Sequence, residues 1–193
     1  FFETPNIDRF AQEGMRFTQA YTAASICSPT RAAIMTGKSP ARLDMTIWHE
    51  GAMQGGPKKR KLLEPKAQPN LPREEITIAE LFKKQNYFTM HIGKWHLGRA
   101  AYYPETQGYD VNIGGTYWGA PATFYHPYRG SWSKNDPELR YVPVGPGQPG
   151  DYLTDKLTDH ALRLIEKQKD RSFFLSLWFY TVHTPIEGKP ALV

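Results

Sequence analysis

The regular spacing of apolar side chains is clearest in the last quarter of the chain. Residues 151–167 carry them at helical intervals, which predicts an amphipathic helix. Its apolar positions are Leu153, Leu157, Ala161 and Leu164. Residues 172–182 are almost continuously apolar, which predicts a strand buried on both faces, and a further strand is predicted at residues 87–92. A helix precedes each strand, an order typical of an α/β sheet that presents functional groups at the carboxyl ends of its strands.

The first 21 residues are predicted to form one helix and one strand. Thr4 and Pro5 suit the N-cap and the first turn of a helix, which should continue to Glu13 and stop at Gly14. Met15–Tyr21 then alternates loosely between apolar and polar side chains, a pattern that favours a strand.

The middle of the chain is predicted to contain a long irregular stretch and a capped helix. Residues 48–75 are interrupted throughout by prolines and glycines. They include a basic run, Lys58, Lys59, Arg60 and Lys61. Such a run can bind nucleic acid, but a solvated loop is the commoner case, so we expect no nucleic-acid partner. Thr77 and Glu80 then form a capping box, which predicts a helix to about Gln85.

Residues 99–150 are rich in Pro, Gly, Tyr and Trp and show no clear period. Long segments of this kind usually form the wall or lid of an active site, or are disordered. The many aromatic side chains argue against disorder. Some rings could stack on a sugar, but most are expected to pack this loop region on the body of a single domain.

The composition is that of an ordinary folded domain, since 40% of the 193 residues are hydrophobic and 22% are charged. No apolar run approaches the roughly 18 residues of a transmembrane helix, so we expect no membrane span. The net charge of +5 suits an anionic substrate but is too small to identify one. The chain begins at Phe1 without a Met and ends at Val193, and we expect both ends to be cut from a longer domain.

The only cysteine, Cys27, lies just before a predicted helix. Pro29 suits the first turn of that helix, residues 30–36 continue it, and Gly37 suits its end. Free amide groups and the positive end of the helix dipole would favour an anion beside Cys27. Arg31, one turn further on, could add a forked donor. The alternative is that Cys27 is a small buried apolar residue, the usual role of a free cysteine.

Two further candidate sites follow the predicted strands. Lys94 and His96 come directly after the first strand, where an ammonium group can hold a sulfate-like anion and an imidazole can transfer a proton near neutral pH. His183 comes directly after the second strand. Because the carboxyl ends of parallel strands share one edge of a sheet, we expect these three side chains to meet Cys27 there. Taken alone, each motif also fits an ordinary turn.

These segments together resemble one enzyme family. The run Ser25–Gly37, with its Cys-x-Pro-x-Arg core, resembles the signature of the type I, formylglycine-dependent sulfatases. Tyr87–His96 resembles the second signature of that family, although Asn86 stands where the family usually has Gly, and His183 resembles a downstream histidine. The resemblance implies an alkaline-phosphatase-like α/β fold, with a mostly parallel sheet flanked by helices. Residues 1–193 would be the N-terminal part of one arylsulfatase-like or carbohydrate-sulfatase catalytic domain.

The resemblance also implies a reaction, the hydrolysis of a carbohydrate or aryl sulfate monoester. Its nucleophile would derive from Cys27 after oxidation to formylglycine, so a formylglycine-generating enzyme is an expected partner, and a sulfated small molecule or glycan is the expected substrate. Arg31 and Lys94 would hold the formylglycine and the sulfate group. His96 would orient or deprotonate the formylglycine hydrate, and His183 would contact the leaving-group oxygen.

A calcium ion is the cofactor that the resemblance implies, with formylglycine at position 27 as one ligand. The family's other ligands come mostly from an Asp-Asp pair and an Asp-Asn pair, expected before residue 1 and after residue 193, with a second active-site lysine downstream. The isolated segment should therefore have low activity. A periplasmic, secreted or lysosomal location is implied. The alternatives are a phosphonate or phosphate monoester hydrolase of the same superfamily, and a non-catalytic segment with vestigial binding.

Overall fold

A parallel three-stranded sheet organises the chain, with β1 (Phe88–Gly93) between β2 (Val111–Ile113) and β5 (Phe173–Trp178). The register pairs Gly93 with Trp178, so the carboxyl ends of β1 and β5 lie side by side. A separate antiparallel ribbon joins β3 (Arg129–Gly130) and β4 (Arg140–Tyr141). The computed structural model describes residues 3–54, 61–62, 66–131 and 140–192.

Helices cover both faces of this sheet. In the described residues the α-helices are α1 (Pro5–Glu13), α2 (Cys27–Thr36), α3 (His49–Gln54), α4 (Ile78–Lys84) and α5 (Leu153–Gln168). Short 3₁₀ turns lie at Ala100–Tyr102, Pro104–Thr106 and Pro190–Leu192. No helix in the described ranges is long and apolar enough to cross a membrane.

Alternate side chains of β5 enter two different cores. Phe174 and Trp178 pack with apolar residues of α2 and α4, whereas Leu175 and Leu177 pack with the apolar stripe of α5. Since successive side chains of a strand point to opposite faces, α2 and α4 lie on one side of the sheet and α5 on the other. The predicted α/β class, a mostly parallel sheet flanked by helices, is confirmed.

Several predicted elements are also confirmed. α1 spans the predicted helix, and the capping box at the start of α4 is complete, because Thr77 accepts from the Glu80 amide and Glu80 accepts from the Thr77 amide. α5 and β1 lie where the apolar pattern predicts them. β5 begins as predicted but ends at Trp178 rather than at Val182, because the paired residues of β1 end at Gly93.

The strand predicted at Met15–Tyr21 is wrong, because the structure gives this segment bends and irregular backbone. Met15, Phe17 and Tyr21 are 79%, 74% and 87% exposed. Alternation of apolar and polar side chains suits a strand, but a strand also needs a neighbour for its backbone hydrogen bonds. In the described part of the chain, β1, β2 and β5 form the parallel sheet, and this segment does not join it.

Two stretches predicted to be irregular contain short regular elements. α3 lies inside residues 48–75, and β2 and both strands of the ribbon lie inside residues 99–150. These elements are too short for a hydrophobic period to be recognised. Of the basic run, Lys58, Lys59 and Arg60 lie outside the described residues, and Lys61 is exposed.

Candidate active site

Cys27 is the first residue of α2, after an N-cap, Ile26, whose side chain makes no capping hydrogen bond. The amide groups of the first turn are therefore left without a side-chain cap beside the half-buried thiol. Pro29 lies in that first turn, as predicted, and Gly37 ends the helix in the left-handed conformation with φ of 68°. The candidate nucleophile thus lies at the N-terminus of α2. This is the positive end of the helix dipole, which favours a negative charge.

Ser28, the next residue, fixes the start of α2 against two other segments. Its fully buried hydroxyl donates to the carbonyl oxygen of His96 at 2.8 Å and accepts from the amide of His49 at 3.1 Å. The first turn of α2, the turn after β1 and the first residue of α3 therefore meet at one side chain.

The turn after β1 holds Lys94 and His96 in fixed positions. The Lys94 amide donates to the Trp178 carbonyl oxygen at 2.7 Å, and a Cβ added at Gly93 would overlap that oxygen, so this close approach needs glycine. The His96 amide donates to Thr116 at 2.9 Å, and His96 itself has a φ of 61°. A non-glycine residue with this φ is uncommon and marks a backbone that its surroundings hold in place.

Arg31 lies across the base of this turn. Its Nη1 donates to the Lys94 carbonyl oxygen at 2.6 Å, and its guanidinium lies 4.9 Å from the ring centroid of Trp178. Burial lowers the pKa of Arg31 to about 10, which leaves the group cationic at neutral pH.

The electrostatics of the cluster favour an ionised nucleophile. Burial raises the pKa of the Cys27 thiol, but the side chain of His96 and the charge of Lys94 together lower it to about 7. Burial lowers the pKa of Lys94 to about 8, against an interaction with Cys27 that raises it. A reactive cysteine typically shares a partly exposed pocket with such cations, whereas a structural cysteine is inert.

Glu50 is a member of this cluster that the sequence analysis missed. One carboxylate oxygen, Oε2, lies 2.6 Å from His96 Nε2, and the other accepts from the Gly119 amide at 3.3 Å. Burial raises the pKa of Glu50, but the hydrogen bond to His96 and the proximity of that ring lower it to about 2. The residue lies in α3, a short helix in a stretch with no sequence period, and no motif pointed to it.

His183 follows β5 on the same sheet edge as the turn after β1. Its side chain is exposed, and Nδ1 lies 2.9 Å from the Thr184 carbonyl oxygen. Partial burial lowers its pKa, and the nearby charges of Lys94 and His96 lower it further. The structure therefore brings Cys27, Arg31, Lys94 and His96 into one cluster and leaves His183 at its solvent side.

A cavity of about 430 Å³ opens beside the start of α2. Cys27, Arg31 and Trp178 line it together with residues of the preceding loop, including Thr22 and Ser25. A cavity of about 570 Å³ lies elsewhere, between the first turns of α5 and the segment around Lys189, with no member of the cysteine cluster in its wall.

Calcium is the ion implied by the sequence resemblance, and the described residues do not fit a complete site for it. In the ranges that the structure describes, no group of three or more His, Cys, Asp or Glu side chains is arranged to hold a metal ion. Calcium takes about 6–8 oxygen ligands. Cys27, after conversion, is the one ligand that the resemblance assigns to this segment.

Comparisons with known proteins agree with the fold. The sulfatase family profile matches residues 2–192. An arylsulfatase of Hemicentrotus pulcherrimus is 33% identical over 93% of this chain and 33% of its own length. The N-acetylgalactosamine-6-sulfatase of Mus musculus is 32% identical over 95% of this chain and 36% of its own length. The chain thus spans about a third of the length of the curated relatives it matches.

Two solved structures share the fold. Ps i-CgsB in complex with k-i-k-neocarrahexaose has a TM-score of 0.68 at 27% identity, over 97% of this chain and 42% of that chain. The PsFucS1 sulfatase from Pseudoalteromonas sp. has a TM-score of 0.62 at 24% identity, over 97% and 40%. A cysteine at a helix start and two cations meet at one edge of a parallel α/β sheet, an arrangement that electrostatically favours an anionic group. The chain belongs to the sulfatase family.

Proposed function

We propose that this chain carries the nucleophile and part of the sulfate-binding site of an enzyme that hydrolyses sulfate monoesters. The observation that carries the proposal is the position of Cys27 at the start of α2, with Arg31, Lys94 and His96 around it. A thiol that serves only as a core residue needs no pair of cations, and burying two cations together is unfavourable unless an anion accompanies them.

The proposed nucleophile is formylglycine at position 27, where the side chain is only half-buried and lines a cavity that an ester could enter. Formylglycine, when hydrated, supplies a hydroxyl nucleophile and a second hydroxyl whose proton loss allows sulfate to be released. Arg31 and Lys94 would bind the negatively charged sulfuryl oxygens. Their positive charges would stabilise the transition state in which the ester bond breaks.

The two histidines are assigned to proton movement. His96, held between Ser28 and Glu50, would orient or deprotonate the nucleophile at position 27. His183, exposed beyond β5, would contact the oxygen of the departing alcohol and protonate it. No step is assigned to calcium, since the described residues do not complete a site for it.

The substrate that we propose is the sulfate monoester of a carbohydrate or of an aryl alcohol. The relatives include enzymes named arylsulfatase and N-acetylgalactosamine-6-sulfatase, and Ps i-CgsB was solved with k-i-k-neocarrahexaose. A formylglycine-generating enzyme would be the maturation partner. A periplasmic, secreted or lysosomal location goes with this proposal, as the resemblance implies.

A substrate panel tests the proposal. The chain, and a longer protein that contains it, are each co-expressed with a formylglycine-generating enzyme, and conversion of Cys27 is checked by peptide mass spectrometry. Turnover is then measured on matched aryl sulfate, aryl phosphate and aryl phosphonate esters. Preferred release of sulfate supports the proposal. Preferred hydrolysis of the phosphate or phosphonate ester would contradict it and indicate a phosphate or phosphonate monoester hydrolase. If the converted longer protein hydrolyses none of the esters, a non-catalytic role is favoured.

A further inference from the structure

We propose that Glu50 is a positioning residue for His96, whose carboxylate fixes which ring nitrogen of His96 carries the proton and directs the other nitrogen to the residue at position 27. The proposal deepens the proposed function and rests on it for its catalytic consequence. Its structural content, the protonation pattern of one imidazole, does not depend on any reaction.

The two carboxylate oxygens of Glu50 have different partners. Oε2 lies 2.6 Å from His96 Nε2, and Oε1 accepts the Gly119 amide at 3.3 Å. A carboxylate with a pKa of about 2 is ionised at neutral pH and can only accept hydrogen bonds. His96 must therefore be the donor, which places a proton on Nε2.

The other nitrogen of His96, Nδ1, is buried and has no hydrogen-bond partner in the described part of the chain. The Cys27 side chain lies within interaction range of the same ring. Because Nε2 is taken by Glu50, Nδ1 is the nitrogen left to interact with position 27.

The His96 ring has little room to turn. His96 is 2% exposed, its backbone is held by Ser28 and Thr116, and Gly119 lies so close that an added Cβ there would overlap the ring. The imidazole is therefore confined by its backbone position and by Gly119 against it. Such an acceptor behind a histidine fixes tautomer and ring orientation in other active sites, including the serine-protease triad.

A carboxylate at position 50 can accept from both partners, which an amide cannot do. Gln at this position has one acceptor oxygen and one NH₂ group. If its oxygen stays on the Gly119 amide, the NH₂ group faces Nε2 and moves the ring proton to Nδ1. If the oxygen turns to His96, the NH₂ group meets the Gly119 N–H, donor against donor. Glu50→Gln therefore keeps the shape of the site but disturbs either the tautomer or the Gly119 contact.

The matched control is Glu80→Gln. Glu80 also accepts a backbone amide, that of Thr77 at 2.8 Å, but makes no hydrogen bond to a histidine in the described residues, and Gln can serve in the same capping box. Glu50→Asp is the conservative variant, because it keeps two acceptor oxygens on a shorter stem. Thermal melts of all three variants establish that each remains folded.

The structural test is ¹⁵N NMR of the imidazole nitrogens in the unconverted chain, with His96 assigned by its absence in His96→Asn. We expect Nε2 of His96 to bear the proton in the unsubstituted chain and in Glu80→Gln. Glu50→Gln should move the proton to Nδ1 or give a mixture of tautomers. Unchanged His96 nitrogen signals in folded Glu50→Gln would overturn the proposal, as would a bare Nε2 in the unsubstituted chain.

The kinetic test uses converted protein and an aryl sulfate. We expect Glu50→Gln to lower kcat by about 10- to 100-fold, the usual cost of losing an outer orienting partner. KM should change little, because Glu50 contacts His96 and Gly119, whereas Arg31 and Lys94 are the residues proposed to hold the sulfate. Glu50→Asp should recover part of kcat, and Glu80→Gln should leave it unchanged. Full kcat in Glu50→Gln would overturn the role proposed for Glu50. If the longer protein that contains this chain is inactive after conversion, the proposed function is refuted, and the NMR result alone decides the role of Glu50.

Discussion

Arg31 Nη1 donates a hydrogen bond to the carbonyl oxygen of Lys94 at 2.6 Å. This one bond ties the first turns of α2 to the turn after β1, although 63 positions separate the two residues. The guanidinium also lies over Trp178 at the end of β5. Arg31 therefore has two proposed roles. Its charge would bind the sulfuryl group, and its contacts hold α2, the turn after β1 and the end of β5 together.

Arg31→Lys keeps the positive charge and removes the contacts that hold the three segments together. Lysine keeps the positive charge but cannot stack as a planar fork on Trp178 while donating to the Lys94 carbonyl. We expect turnover of an aryl sulfate by converted protein to fall by about 100-fold or more. The free energy of unfolding should fall by about 1–3 kcal/mol, because a buried carbonyl loses its donor. Arg163→Lys, on the exposed face of α5, is the control and should change neither quantity measurably. Equal loss of turnover and of stability in Arg31→Lys and Arg163→Lys would contradict the roles assigned to Arg31.

The thiol of unconverted Cys27 should react at lower pH than an ordinary cysteine. Alkylation requires the thiolate, so its rate should rise with pH through a midpoint of about 7, the pKa of this thiol. Lys94→Gln removes a positive charge that favours the thiolate, so the midpoint should move to higher pH. Rates of iodoacetamide labelling against pH measure both. A midpoint near 8.5, the value of an unperturbed cysteine, in the unsubstituted chain would show that the cations do not act on Cys27.

Gly93→Ala tests the close approach between the ends of β1 and β5. Both Gly93 and Gly145 have positive φ, at 100° and 81°, but only Gly93 has a backbone oxygen where a Cβ would stand, and Gly145 has open space. We expect Gly145→Ala to lower the free energy of unfolding by about 1–2 kcal/mol for backbone strain alone. Gly93→Ala should cost clearly more and should lower turnover, because Lys94 moves with the strand end. Chemical denaturation gives the comparison, and equal costs would contradict the described contact.

Ser28→Ala should weaken the junction behind the nucleophile. The substitution leaves the His96 carbonyl and the His49 amide without their shared hydroxyl, at an expected cost of about 1–3 kcal/mol. Ser39→Ala, at an exposed hydroxyl that accepts the Arg42 amide, is the matched control and should stay within about 0.5 kcal/mol. If the two variants have the same stability, Ser28 does not hold these segments together.

The sequence predicted the parts of the fold that have strong local causes. α5 carries a continuous apolar stripe, and α4 begins at a capping box, so both could be placed from their own residues. Cys27 could be placed at a helix start because Pro29 and Gly37 bracket that helix. The position of the turns after β1 and β5 at one sheet edge could be predicted from parallel topology. Parallel strands bring their carboxyl ends together whatever sequence lies between them.

The remaining features depend on contacts between distant segments. Met15–Tyr21 has a strand-like pattern, but it does not pair with the sheet in the described residues. Glu50 lies in a six-residue helix, and its importance comes from His96 and Gly119, 46 and 69 positions further along the chain. No local pattern encodes such a pairing, so it becomes visible only when the turn after β1 is seen against α3.

The most direct test of the central claim is the dependence of sulfate release on the chemical state of position 27. Protein that contains this chain is prepared with different fractions of Cys27 converted to formylglycine, each fraction measured by peptide mass spectrometry, and initial rates are measured on one aryl sulfate. The account predicts that the rate rises in proportion to the converted fraction and that Cys27→Ala has no turnover above background. A rate that is independent of conversion, or that survives in Cys27→Ala, would contradict it.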